Sequence, residues 1–116
     1  MGSVYRTTLD REVQQIREDI VLMSQKVDWA IDQAVTAVSQ RNLELAQEVI
    51  AKDVEVNDLR FKIEEACLVI IATQQPAARD LRSVVAAMHM VVELERMGDH
   101  AEGIAKTAVL MAHEPK

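Results

Sequence analysis

Three carboxylates in the last third of the chain, Glu95, Asp99 and Glu102, follow one another at steps of four and three residues. On an α-helix these steps stack side chains one turn apart on a single face. Carboxylates held that close raise one another's proton affinity unless a cation shares them, and hard divalent or trivalent metal ions take such oxygen ligands. A hydrated acidic face has the same spacing. Asp28 with Asp32 and Glu44 with Glu48 repeat it, so the pattern alone leaves metal binding and a solvated surface both open. His89 and His100 lie about 80–100° round the helix from this stripe and are not automatic co-ligands. A second polar strip carries Asp53, Asn57, Arg60 and Glu64. Counted outward from Gln75, Asp53 and Asn57 come level with Glu95 and Asp99, so antiparallel packing can gather them into one patch. Alternatively, Arg60 simply pairs with Glu64. Glu93, Arg96 and His100 fit an ordinary local charge network.

No Gly-rich phosphate loop, Cys/His zinc spacing or nucleophile elbow is present, and Ser24, Ser39 and Ser83 have no evident His–acid partners. This argues against a self-sufficient enzyme. Two rivals stay open: a carboxylate-bridged, metal-dependent enzyme, and a metal-free dimerisation bundle. The first calls for a Glu-x-x-His pattern, which the sequence lacks.

The elements that must hold these residues are long helices. Leu9, Val13, Ile16, Ile20, Met23, Val27, Ile31, Ala34 and Val38 alternate at spacings of three and four, which predicts a helix over about residues 9–39. Thr7 or Thr8 is a candidate cap. Gln40-Arg41-Asn42 is a tight break, with Asn42 as N-cap and Glu44 in the following first turn. A second helix is predicted over about 43–74, with Val49, Val56, Leu59, Ile63, Ala66, Cys67 and Ile70 on one face, and its run from Ala66 to Ala72, apolar all round, is expected to be buried on two sides. Gln74-Gln75-Pro76 ends it, and a third helix follows over about 77–111 with Pro76 at its start. In that helix Leu81, Val84, Val85, Met88, Val91 and Val92 share a face that continues as Glu95, Asp99, Glu102 and Lys106. The opposite face carries Ala86, Met90, Leu94, Met97, Ala101, Ile104 and Ala108. The expectation is that the second half packs through this Met/Ala/Ile side and turns its carboxylates outward. Gly98 and Gly103 mark either a close approach or a weak spot in the helix. The sum is an all-α, single antiparallel up-down-up three-helix bundle over residues 9–112. Residues 1–8 read as an N-terminal extension and 113–116 as a truncated linker.

Composition agrees. Apolar residues make up 49% of the 116, aromatics 3%, and the formal net charge is −6. An acidic chain without clustered Lys and Arg has no footprint for nucleic acid or anionic lipid. The single Cys67 in an apolar run reads as a small buried hydrophobe and points to a reducing, cytoplasmic setting. No apolar stretch reaches the length needed for membrane insertion.

The string from Ala72 to Arg82, ATQQPAARDLR, followed by Glu93 to Ala101, ELERMGDHA, resembles the PhoU family of phosphate-signalling regulators. Residues from Thr8 onward and Asp53 to Asn57 also look like the first of that family's two tandem three-helix bundles. The resemblance implies a negative regulator of inorganic phosphate uptake and phosphate-starvation signalling. Its partners would be a phosphate ABC transporter and a sensor histidine kinase. It also implies a metal signature, an acidic residue followed four later by Asp, which Glu95 and Asp99 match, with iron, zinc or another divalent metal as cofactor. Glu102, Asp53 and Asn57 carry over less directly. Family members are about twice as long, so a homodimer is expected to supply the missing half.

Overall fold

The computed structural model describes residues 2–115, with side-chain surroundings from residue 8 onward. Three helices, α1 (Gly2–Gln40), α2 (Leu43–Gln74) and α3 (Ala78–Ala112), run up, down and up in a rod of 69 × 17 × 16 Å. The expected fold class and the order of elements hold. Helix α1 starts earlier than the periodicity suggested. It is already helical at Thr7 and Thr8, so neither is its N-cap, and the stretch expected as an extension continues the helix from Gly2.

The first break is a Schellman motif. Arg41 N–H donates to the carbonyl of Val38, Asn42 N–H donates to that of Ala37, and Arg41 takes the left-handed conformation at φ 52°. Glycine usually sits here because it has no Cβ to strain. The arginine repays its strain elsewhere: its guanidinium donates to the carbonyls of Met111 (2.5 Å) and Glu114 (3.0 Å), tying the loop to the open end of α3. Asn42 then caps α2, its side-chain oxygen accepting from Leu45 N–H at 3.0 Å. The second break has Gln75 left-handed, with Pro76 and Ala77 outside the helix. Ala77 is the N-cap and α3 begins at Ala78, so Pro76 precedes the helix instead of opening it.

The core changes character along the rod. Toward the α2–α3 turn it is built of large side chains, including Met23, Ile63, Ile70 and Val91. Toward the α1–α2 turn it is mostly alanine: Ala30, Ala34, Ala37, Ala46, Ala101, Ala105 and Ala108. Interaxial distance follows side-chain size, so the helices can come closer at the alanine end.

The buried seam of α3 is Val84, Ala87, Val91, Gly98, Ala101, Ala105 and Ala108. It passes between the two faces expected from the sequence and takes members of each. Of the Met/Ala/Ile side expected to pack the second half, Ala101 and Ala108 are buried and Ile104 packs against the core, whereas Met97 is 45% exposed. On α2, Leu68 and Val69 of the run expected to be buried on two sides are 57% and 48% exposed, because only one flank of that run meets the bundle. In the second half of α3, glycine and alanine do the packing. The two glycines differ. A Cβ on Gly98 would touch Val56, Asp53 and Val27 at 3.4–3.8 Å, whereas one on Gly103 would meet nothing within 4 Å.

Candidate functional site: an acidic cluster between the second and third helices

Because the α3 seam runs through Gly98 and Ala101, the neighbouring positions Glu95 and Glu102 fall on the flank that meets α2. Both are half-buried, while Asp99, further round, is exposed. On α2, Asp53, Asn57, Arg60 and Glu64 lie on the matching flank. Structure and sequence reading agree that these residues share one patch, and the contacts divide it into two parts.

The part nearer the α2–α3 turn is an ion-pair triad. Arg60 donates to Glu64 at 2.5 Å along its own helix and to Glu95 across the interface. Hydrogen bonds to Glu95 first, and Glu64 second, hold the guanidinium even more firmly protonated than usual. Arg60 thus pairs with Glu64 as one of the two expected arrangements had it, and it also occupies Glu95.

The other part gathers acid. Burial and a shared proton with Glu102, reinforced by the charges of Glu102 and Asp99, push the Asp53 carboxyl up from 3.8 to about 6. Asn57 pulls the other way, donating its amide to Asp53 at 3.5 Å. Lys106 lies 3.0 Å from Glu102, one turn further on. Of the expected metal-site residues, Asp53, Asn57 and Glu102 meet, Asp99 acts on Asp53 only by its charge from the exposed flank, and Glu95 is turned to Arg60. Among the described residues no group of three or more His, Cys, Asp or Glu side chains is set to hold a metal ion. The donor set is nevertheless all oxygen, and a carboxyl pair competing for one proton is where a hard cation would relieve repulsion. Carboxylate and amide oxygens are the donor chemistry such an ion takes. A histidine- or thiolate-rich site is not what the cluster offers.

Two features had no signal in residue spacing. A pocket of about 240 Å³ between α1 and α2 is walled by Trp29, Val49, Val56, Lys26 and Lys52, with Lys52 stacked 4.8 Å above the Trp29 ring. A groove of about 530 Å³ between α1 and α3 is lined by Val21, Met90, Leu94 and Met97. Both arise from residues far apart in sequence, which only the packing brings together. No helix among the described residues is long and apolar enough to cross a membrane.

Comparison with known proteins gives one family. The PhoU domain matches residues 20–108. The chain is 43% identical over 107 residues to the phosphate-specific transport system accessory protein PhoU homolog of Aquifex aeolicus, covering 92% of this chain and 48% of that protein. It is 40% identical over 98 residues to the accessory protein PhoU of Escherichia coli, covering 84% and 41%. With the Streptococcus pneumoniae homolog it shares 37% over 109 residues, covering 94% and 50%. The chain thus spans about half the length of these relatives, or somewhat less.

Proposed function

Since the chain belongs to the PhoU family, we propose that it is a regulatory accessory protein of phosphate transport. In this reading it restrains a phosphate ABC transporter and its sensor histidine kinase, on the cytoplasmic side, by contact between helix faces. The family match over most of the chain carries the reading, and the relatives' shared description as accessory proteins of phosphate-specific transport supports it. Two physical points agree with it. The cluster lacks any paired nucleophile and base, and the α2/α3 face leaves large apolar side chains uncovered beside the acid. A homodimer, in which a second copy of this three-helix bundle packs beside the first, belongs to the same proposal.

The test is cellular. In a bacterium deleted for its own phosphate-transport accessory protein, expression of this chain should lower phosphate uptake and phosphate-starvation reporter activity. Unchanged values at matched expression would overturn the reading.

We propose further that Asp53, Asp99 and Glu102, with the Asn57 carbonyl, bind a hard divalent cation as a structural or sensing element. Such an ion would supply positive charge to the carboxylates and a point of attachment for phosphate. The chain's own part is to hold the oxygens together and, through Arg60, to keep Glu95 in reserve. Elemental analysis of protein purified without chelator, beside Asp53→Asn/Asp99→Asn, decides the matter. Equal metal content in the two proteins would end the site. One observation favours the rival, a metal-free bundle: Arg60 and Lys106 already neutralise Glu95 and Glu102.

A further inference from the structure

Two stripes run side by side on the α2/α3 face and change character at the same level. On α3 the stripe steps by four and three from Leu81 through Val85, Met88 and Val92, then becomes Glu95, Asp99 and Glu102. On α2, Phe61 and Leu68 each stand one turn from Glu64, on the solvent side of the Arg60 triad. The cross-contacts set the level. Cys67 lies against the Val84 carbonyl, Arg60 against Glu95, and Asp53 against Glu102. Leu68 therefore stands beside Val85 and Phe61 beside Val92, and the acid follows beyond them.

The apolar half is open to solvent: Phe61 is 66% exposed, Leu68 57%, Val85 40% and Val92 38%. Large apolar side chains left exposed on one face beside charged groups mark an interaction surface. From Leu81 to Glu102 the stripe covers about 32 Å at 1.5 Å per residue, the length of a helix of about 20 residues.

We infer that this face docks an amphipathic helix of a partner protein whose apolar side runs out into lysines or arginines. The apolar end lies over Phe61 and Leu68, and the basic end over the exposed Asp99 and over Glu102, where it takes the place of Lys106. Charge decides against a second copy of this chain as the occupant. Laid parallel, two copies would set acid on acid. Laid antiparallel, each would bury its carboxylates against the other's Phe61 and Leu68. A basic partner end satisfies the carboxylates in either case. The inference rests on the reading of this chain as a contact regulator and names the chemistry of the segment it contacts. Because the same carboxylates serve a cation or the partner's basic groups, millimolar divalent metal should weaken docking.

The probe is a dye-labelled synthetic helix of about 20 residues, with leucines along one side of its first half and lysines along the same side of its second. Fluorescence anisotropy follows its binding to the full chain at two salt concentrations. Binding should weaken about tenfold or more with Phe61→Ser or Leu68→Ser, both exposed changes that leave the core intact. Asp99→Asn/Glu102→Gln should weaken it at low salt and flatten its salt dependence. A peptide with glutamates in place of the lysines should bind about tenfold more weakly. Equal binding of the two peptides, or indifference to both apolar changes, overturns the inference. So does a Phe61-dependent dimer in light scattering that excludes the peptide, which would assign the face to a second copy. In the uptake assay, a Phe61→Ser chain that restrains uptake as well as the parent sinks the docking site and leaves the regulatory reading standing. A parent chain without effect on uptake sinks that reading, while the peptide measurements still decide the face.

Discussion

Replacing Asp53 by asparagine should stabilise the protein near neutral pH and leave its stability unchanged near pH 4. Asp53 ionises at about 6 in the folded chain against an ordinary 3.8, because it is half-buried and shares a proton with Glu102. A carboxyl whose folded value is raised binds more protons folded than unfolded between those two pH values. Its contribution to stability therefore falls as pH rises through that window, and the whole penalty is present above the folded value. About two units at 1.36 kcal/mol each set an upper bound of about 3 kcal/mol. Solvent screening of a half-exposed group reduces this to about 1–2 kcal/mol. Asparagine keeps the shape, can donate to Glu102 as the protonated acid does, and never ionises. Urea denaturation of both proteins at pH 4, 5, 6 and 7 measures the effect. The stability difference between variant and parent should rise from near zero to about 1–2 kcal/mol across the series. A difference constant with pH, or a variant less stable than the parent at pH 7, would refute the shared-proton account of the cluster.

Arg41 offers a second test, since its left-handed backbone and its guanidinium act in opposite senses. Arg41→Ala should cost about 1–2 kcal/mol in urea denaturation, and Arg41→Gly about 1 kcal/mol less than that, because glycine loses the bonds to α3 but relieves the strain. Gly103→Ala fills open space in a helix interior and should raise stability by about 0.5–1 kcal/mol, readable as a higher melting temperature in circular dichroism. The Cys67 thiol is fully buried, and burial, aided by the charge of Glu64, raises its pKa. A thiol reagent should therefore label native protein only as fast as the protein opens, and labelling at the rate of a free thiol would place Cys67 outside the core.

Helix periodicity carried most of the fold because each helix is long enough for its seam to repeat many times. Asn42 was legible as a cap for a local reason: its side chain bonds the backbone three residues on. The start of α1 was not, since neither Thr7 nor Thr8 ends the helix there and nothing in the pattern marks Gly2. On α3 the misreading has a definite cause. Apolar residues occupy both flanks of the true seam, so hydropathy marks two wide faces and not the narrow line of Gly98, Ala101 and Ala105 that packs. The site was legible to the extent that it is helical spacing plus register, which put Asp53 level with the α3 acids. Arg60 reaching Glu95 and Glu102 sharing a proton with Asp53 are interhelical distances, and no single helix encodes them.

Those distances trace back to small residues. Asp53 can reach Glu102 because α2 crosses α3 where α3 presents Gly98 and Ala101, with the Asp53 carboxyl 3.6 Å from where a Cβ on Gly98 would stand. Nearer the turn the seam carries the larger Val84 and Val91, and there the interhelical partner of Glu95 is the long side chain of Arg60. One gradient in core side-chain size therefore sorts the acidic patch into a neutralised end and a proton-sharing end. The carboxyl whose pKa is raised lies against Gly98, where repacking of the two helices would change its hydration.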